Sequence, residues 1–271
     1  MTRKVARYTD QYKRDKRRRF SRKMFFISSV VILVLAGVIY LLFFAHLLDV
    51  RSVTVESDAQ SSELRDSVKS ETNHWLDSKH YFLQRRRNIV FLGLGQLQMK
   101  LAKDFPKIDS ISISRRLFHE IKISIKERSP KGIWCLTASQ QCFYFNNNGI
   151  AYEKSPQTSG FLILAVQDNR SREVSLGDKV TEDEWLKVIT DVHQKLSDKK
   201  FQVKAIVIPS DSISDFYALT STNLKILLNV DTDTNSQIDA MASFMAQKLS
   251  SDRISQLQYI DLRIQDRIYY K

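Results

Sequence analysis

The sequence predicts an α+β protein made of one N-terminal transmembrane helix, a domain of β-α-α-β-β order, and a C-terminal mixed β-sheet domain with flanking helices. Three observations lead to this prediction. An uncharged apolar run follows a basic N-terminal segment, residues 49–128 alternate between strand and helix patterns, and residues 129–271 carry many short strand patterns with two amphipathic helices among them.

The positive charge of the chain is concentrated at its N-terminus. The 271 residues carry a formal net charge of +12, and residues 1–23 hold 11 Lys and Arg against two Asp. Residues 49–271 hold 31 basic and 28 acidic side chains, so this larger part is close to neutral. Two Cys and 7 Gly exclude a disulfide scaffold, a four-thiolate zinc site and a Gly-rich fibrous chain.

Residues 24–48 contain no Asp, Glu, Lys or Arg. A helix of this length is roughly 37 Å long, enough to cross a hydrocarbon core of about 30 Å. A cleavable signal peptide would have a shorter apolar region and a small-x-small cleavage site, whereas the sequence His46-Leu47-Leu48-Asp49 follows here. A buried core helix of this length would show a polar face. The run is therefore predicted to span a membrane.

The charges on either side of this span predict its orientation. Eight basic residues lie in Lys13–Lys23, whereas Arg51 alone lies within about fifteen residues after the span. Positive charge is retained on the cytoplasmic side, so residues 1–23 are expected inside and residues 49–271 outside. The basic tail has three open interpretations: a topology signal attracted to anionic lipids, a nucleic-acid-binding segment, or a docking site for a cytoplasmic partner.

Residues 49–128 show a strand, two helices and two further strands in that order. Their predicted positions are a strand at 50–56, a helix beginning at 61–63, a helix around 94–104 that Pro106 ends, a strand through Ile108, Ile111 and Ile113, and a strand in which Ile121, Ile123 and Ile125 alternate with polar residues.

Residues 129–271 show short strand patterns interrupted by two helices. One helix is expected after a capping box, Thr181-x-x-Glu184, and the other after Asn235-Ser236. The predicted strands are at 132–136, 142–145, 161–166, 202–208, 214–219, 224–230, 257–264 and 267–270.

A set of short motifs, in order and at characteristic spacing, resembles the FtsQ/DivIB cell-division family over most of residues 24–271. The motifs are Asn88-Ile89-Val90-Phe91-Leu92, Phe105-Pro106-Lys107-Ile108, Ile125-Lys126-Glu127-Arg128-Ser129-Pro130, Trp134-Cys135 with Cys142-Phe143-Tyr144-Phe145 and the turn Asn146-Asn147-Asn148-Gly149, and Tyr259-Ile260-Asp261-Leu262-Arg263. The chain stops at Lys271, where some relatives carry a longer tail.

The resemblance implies a POTRA-like domain at 49–128 and an FtsQ/DivIB-like β domain at 129–271. It also implies a non-enzymatic scaffold in the cytoplasmic (inner) membrane at the division septum. Such a scaffold links early division proteins to FtsB/DivIC-like and FtsL-like partners and regulates septal peptidoglycan synthesis. The candidate partner-binding residues carried over from the family are Asp261, Arg263, Ile264, Arg267, Ile268, Tyr269 and Tyr270.

The last predicted strand, at 267–271, adds a physical reason for placing a contact there. A terminal strand at a sheet edge leaves N–H and C=O groups unpaired, so a partner can add a strand to it. Tyr269 and Tyr270 supply the amphipathic surface that is common in contact patches. The alternative is that one tyrosine faces the core and that the chain itself covers the edge.

The sequence predicts no enzyme, cofactor or metal site. The five His are isolated from one another and no cluster has metal-ligand spacing. Ser197 and Lys200 match a Ser-x-x-Lys pattern, but the Lys-Thr-Gly that accompanies it in penicillin-interacting enzymes is missing from the sequence. Cys135 and Cys142 flank a predicted tight turn and are expected either as a cross-strand disulfide or as two buried free thiols.

Three other functions compete with the scaffold. One is a single-span cell-wall enzyme, which would need a nucleophile–base pair or a metal cluster. Another is a POTRA-bearing protein of a secretion-type assembly. The last is a membrane-anchored regulator whose tail, residues 1–23, binds nucleic acid.

Overall fold

The structure is a computed structural model and has a mixed α+β fold with one N-terminal apolar helix, which confirms this much of the predicted fold class. The chain divides into two compact units, the second of which contains residues 125–271. The residues that the structure describes are 23–41, 48–58, 62–81, 84–85, 87–89, 92–116, 119–156 and 163–271.

The N-terminal apolar helix, α1, runs over Lys23–Leu41. Its 19 residues are long and apolar enough to cross a membrane, and none of its most apolar window is buried against the rest of the protein. A signal sequence near an N-terminus meets the same criteria. Residues 42–47 of the predicted span, and the basic tail at 1–22, lie outside the described residues.

Residues 52–127 form two helices, one three-stranded sheet and a small hairpin. The sheet has the order β1-β5-β4, and the hairpin β2–β3 between the helices was not predicted. The elements are β1 (Ser52–Ser57), α2 (Ser62–Asp77), β2 (Lys79–Tyr81), β3 (Gln84–Arg85), α3 (Leu94–Asp104), β4 (Ile108–Arg116) and β5 (Glu120–Glu127).

Apolar side chains at helical and at alternating spacing make the core of the first unit. In β5 the strict alternation buries all three isoleucines, which occupy every second position, and in α3 Leu97 and Leu101 occupy one face. The buried apolar residues here include Val53, Val68, Trp75, Leu76, Leu97, Leu101, Ile121 and Ile123.

Arg128 closes β5 onto the turn before β4. Its backbone N–H donates to the Lys107 carbonyl oxygen at 2.9 Å, and its Nε donates to the Pro106 carbonyl oxygen at 2.8 Å. Its Nη1 lies 3.0 Å from Asp109 Oδ1. The arginine of the Glu-Arg-x-Pro motif is therefore a structural clamp between two chain segments.

The second unit contains one nine-stranded mixed sheet of order β14-β13-β12-β11-β10-β9-β6-β7-β8. Strand β8 was not predicted as a separate strand, nor was the short α6. The elements are β6 (Gly132–Leu136), β7 (Gln141–Phe145), β8 (Ala151–Ser155), β9 (Leu164–Asp168), α4 (Asp183–Asp198), β10 (Val203–Ile208), β11 (Asp215–Thr220), β12 (Lys225–Asn229), α5 (Thr234–Lys248), α6 (Ser251–Gln256), β13 (Tyr259–Asp261) and β14 (Tyr269–Tyr270).

The core of this unit lies between the sheet and the apolar stripes of α4 and α5. Its largest fully buried side chains are aromatic, and the rings of Trp134 and Phe145 meet edge to face with centroids 5.9 Å apart. The helix stripes that the sequence predicted are buried against them, including Ile189 and Leu196 of α4 and Ile238 of α5.

The starts of the two helices differ from the predicted caps. Helix α4 begins at Asp183, and its N-cap, Glu182, makes no side-chain cap bond, so the predicted capping box is wrong. Thr181 instead donates its hydroxyl to the Glu182 carboxylate at 3.0 Å. Helix α5 begins at Thr234, and the Asp233 carboxylate accepts the N–H of Ser236 at 3.1 Å.

Candidate partner-binding edge

Strand β14 lies at one edge of the nine-stranded sheet. It pairs antiparallel with β13, with Tyr270 opposite Ile260 and Tyr269 opposite Asp261. Within the described ranges, no strand pairs with the other side of β14. The predicted open edge is therefore present, although the strand is only two residues long.

Hydrogen bonds at the end of the chain identify which backbone groups face outward. Lys271 and Tyr259 exchange N–H···O bonds of 3.2 and 3.4 Å. Neighbouring residues of an antiparallel pair alternate between hydrogen-bonded and non-hydrogen-bonded positions. Because Lys271 faces β13, the N–H and C=O groups of Tyr270 point away from it, toward the position of an added strand.

The two tyrosines lie on opposite faces of β14 and each is 45% exposed. The ring of Tyr270 packs on Phe244 of α5, with centroids 5.3 Å apart. The hydroxyl of Tyr269 accepts a hydrogen bond from Arg267 Nη1 at 3.3 Å. Neither tyrosine is buried in the core, so both present contact surface.

The loop from β13 to β14 brings one further apolar side chain to the surface. Ile264 is 53% exposed, whereas Ile268 packs against the main core. The chain reverses direction in this loop at Asp266, whose φ of 59° lies in the left-handed region. Of the two isoleucines carried over from the family, Ile264 is thus the accessible one and Ile268 supports the loop.

Asp261 and Arg263 are engaged within the chain. Arg263 Nη2 lies 2.6 Å from Asp261 Oδ2, and its Nη1 lies 2.9 Å from Asp215 Oδ2 on β11. Hydrogen bonds from Arg263 lower the pKa of Asp261, and both carboxylates raise the pKa of Arg263. These two residues therefore link the loop after β13 to the start of β11, across the intervening strand β12.

We expect this ion pair to make the free energy of unfolding depend on pH in the acidic range. The pKa of Asp261 is lowered in the folded state, so its contribution is complete above the ordinary value of 3.8 and is lost as the pH falls through the lowered pKa. Denaturant unfolding of wild type and Arg263→Gln, at about pH 6 and about pH 3, should show a stability difference that shrinks in acid. A difference that stays constant over this range would contradict the assignment.

A cavity of about 420 Å³ lies beside Arg263. It is lined in part by Tyr217 and Leu227, and by the β10–β11 loop, where Ile213 is 92% exposed. These three residues were missed by sequence reasoning. The sequence signal that could have indicated this surface is Ile213 itself, an isolated isoleucine within the polar turn Ser210–Ser214.

Cys135 and Cys142 lie directly opposite each other on β6 and β7 and are joined as a disulfide, with Cα atoms 4.0 Å apart. Both are at least nine-tenths buried, beside Ile133 and Tyr144. The bond ties together two strands that are already neighbours in a hairpin. No group of three or more potential metal ligands occurs in the part of the chain that the structure describes.

No protein-family model matches the sequence, and no curated protein is significantly similar to it. A function must therefore be inferred from the chain itself. The features available are a mixed α+β fold, an apolar N-terminal helix and an open sheet edge with two half-exposed tyrosines.

Proposed function

We propose that this chain is a single-span scaffold of the FtsQ/DivIB type that acts at the division septum. Helix α1 crosses the cytoplasmic membrane, residues 1–23 are cytoplasmic, and residues 49–271 lie outside. The open edge at β14 binds an FtsB/DivIC-like partner together with an FtsL-like one. In this way the chain connects early division proteins to the regulation of septal peptidoglycan synthesis.

The observation that carries the proposal is the β14 edge. Tyr270 directs a donor and an acceptor outward, and Tyr269 and Tyr270 flank them with large amphipathic surface. A partner strand gains main-chain hydrogen bonds worth about 0.5–1.5 kcal/mol each, and side-chain contacts supply its specificity. A two-residue edge provides few such bonds, so the contact is expected to need additional surface such as the exposed Ile264.

Two further features support the proposal. Apart from the short hairpin β2–β3 between the two helices, the order β1, α2, α3, β4, β5 is the β-α-α-β-β order that the resemblance implies, and it follows an apolar helix. Anchoring by α1 would confine the chain and its membrane-bound partners to one thin layer. Such confinement raises the effective concentration for weak contacts, which suits a short binding edge.

A backbone substitution at the edge tests the proposal. We expect Tyr270→Pro to abolish copurification of the FtsB/DivIC-like partner with the full-length chain from detergent-solubilised membranes. Proline removes the outward N–H, whereas the Lys271 bonds to Tyr259 on the inner side of the strand are retained.

Tyr270→Val is the matched control because it keeps the N–H and loses the same ring. It should retain more of the partner than Tyr270→Pro does. The free energy of unfolding of both variants should equal that of wild type to within about 0.5 kcal/mol. Undiminished copurification with Tyr270→Pro would exclude strand addition at β14.

A further inference from the structure

Strand β4 is a second open edge, at one side of the three-stranded sheet β1-β5-β4. It has nine residues, Ile108–Arg116, whereas β14 at the edge of the large sheet has two. In the part of the chain that the structure describes, no strand pairs with the outer side of β4. A long edge of this kind offers many more main-chain groups to another strand than β14 does.

A hydrogen bond at the base of the β4–β5 pair shows which backbone groups of β4 face outward. Only three residues separate the two strands, so they are antiparallel. The Arg128 N–H donates to the Lys107 carbonyl oxygen at 2.9 Å, so Lys107 faces β5. Successive residues alternate in this respect, and the N–H and C=O groups of the even-numbered residues of β4 therefore point outward. In the middle of the strand these residues are Ser110, Ser112 and Ser114, which are all exposed.

The sequence of β4 is self-complementary when two copies lie antiparallel with Ser112 opposite its own copy. Each residue then lies opposite one of complementary chemistry, and the opposed pairs are Asp109–Arg115, Ser110–Ser114, Ile111–Ile113 and Ser112–Ser112. Opposite charges and paired hydroxyls directly across two strands stabilise the pairing, and facing isoleucines bury apolar surface. Residues 109–115 also lack the lysine and proline that block many natural sheet edges.

The backbone favours the same register as the side chains. Because Ser112 points its N–H and C=O outward, a two-fold axis there passes through a hydrogen-bonded pair, and each such pair exchanges two N–H···O bonds. The charged pairs and the isoleucine pairs fall at non-hydrogen-bonded positions, where opposed side chains are closer. A register moved by two residues in either direction would place a charge opposite an isoleucine.

The two charged side chains are accessible for this pairing. Asp109 Oδ1 lies 3.0 Å from Arg128 Nη1, and 38% of the Asp109 side chain stays exposed. Arg115 is exposed, and its Nη2 donates to the Leu92 carbonyl oxygen at 2.8 Å. Among the described residues, no carboxylate forms an ion pair with Arg115. The Asp109 carboxylate of a second copy would supply this counter-charge.

We propose that β4 binds the β4 of a second copy of this chain, so that two three-stranded sheets join into one sheet of six strands. The inference goes beyond the proposed scaffold function and does not depend on it, because only the residues of β4 carry it. A dimer of this kind would contain two β14 edges, one from each chain.

Cysteine cross-linking of the full-length chain in detergent tests both the contact and its register. The two native cysteines are joined to each other, so a cysteine introduced into β4 is the sole free thiol. We expect Ser112→Cys to form a disulfide-linked dimer under mild oxidation, because the two Cα atoms would lie about 5.5 Å apart. Ser110→Cys alone should give on the order of tenfold less dimer, since its two Cα atoms would be separated by roughly 14 Å along the strands.

The proposed register supplies the control for this experiment. A mixture of Ser110→Cys and Ser114→Cys chains should form a cross-link that neither variant forms alone. Equal cross-linking of all three single variants, or no dimer from Ser112→Cys, would overturn the assignment. If Ser112→Cys in native membranes is cross-linked to another protein instead of to its own copy, the occupant of the edge is not a second copy and the assignment is wrong.

Charge reversal tests the pairs between Asp109 and Arg115. Arg115→Glu would place a carboxylate opposite Asp109 at both ends of the contact, and it should raise the dissociation constant of the dimer on the order of tenfold in analytical ultracentrifugation. Arg116→Glu is the control, because it makes the same change of charge at an exposed neighbour that does not lie opposite Asp109. Equal weakening by the two variants would contradict the proposed register.

Discussion

Replacing Asp168 with Ala is expected to lower the free energy of unfolding by about 3–5 kcal/mol. The Asp168 side chain is fully buried and accepts hydrogen bonds from Arg170 Nε and Nη2, both at 2.9 Å, and from Trp134 Nε1 at 3.3 Å. Without the carboxylate, the largely buried guanidinium loses its counter-ion and the indole N–H loses its acceptor. Urea unfolding of the full-length chain in detergent, followed by tryptophan fluorescence, measures the change.

Asp183→Ala is the control for this substitution. Asp183 also forms an ion pair, with Lys179 Nζ at 2.6 Å, but its side chain is 76% exposed. Exposed pairs contribute at most about 1 kcal/mol, so this variant should unfold close to wild type. A loss for Asp168→Ala no larger than that for Asp183→Ala would show that the Asp168 cluster does not stabilise the fold.

Gly132→Ala is expected to lower the free energy of unfolding by about 3 kcal/mol, at the upper end of the overpacking range. An added Cβ would lie 2.5 Å from the Leu164 carbonyl oxygen and 2.8 Å from two carbons of the Phe145 ring. Gly132 and Leu164 are register partners on the parallel strands β6 and β9, so the backbones would have to separate. The same urea experiment measures the loss.

Gly95→Ala is the control for Gly132→Ala, and no loss of stability is expected for it. Gly95 is exposed in the first turn of α3, and a Cβ there would meet no atom within 4 Å. Alanine is the better helix former, so the variant should be unchanged or more stable by about 0.5 kcal/mol. If both glycine variants lost similar stability, close strand approach at Gly132 would not be the cause.

Local patterns predicted the elements whose own sequence determines them. Helix α3 occupies residues 94–104 as predicted, because leucines at helical spacing and Pro106 define it locally. Strand β5 follows the alternation of Ile121, Ile123 and Ile125. The turn at Asn146–Gly149 also forms as predicted, with Gly149 at φ of 73° and Asn146 Oδ1 accepting the Ile150 N–H at 2.9 Å.

Features that depend on distant residues were missed. The hairpin β2–β3 is too short to give a periodic signal, and the segment that follows it is held by backbone bonds between Val50 and Arg87 and between Leu48 and Ile89. The role of Arg263 depends on Asp215, which is 48 residues earlier in the chain. The predicted capping box was wrong because Glu182, itself hydrogen-bonded to Arg172, takes the N-cap position.

For this protein, residue order alone determined the α+β class, the apolar helix, most helices and strands, and the residues that make up the sheet edge. These properties follow from periodicity and local backbone preference, which neighbouring residues supply. The tertiary structure decided which groups of that edge remain free: it paired Asp261 with Arg263 and turned the Tyr270 amide outward. Pairing and burial depend on residues far apart in the chain, so they become defined only when the sheet assembles.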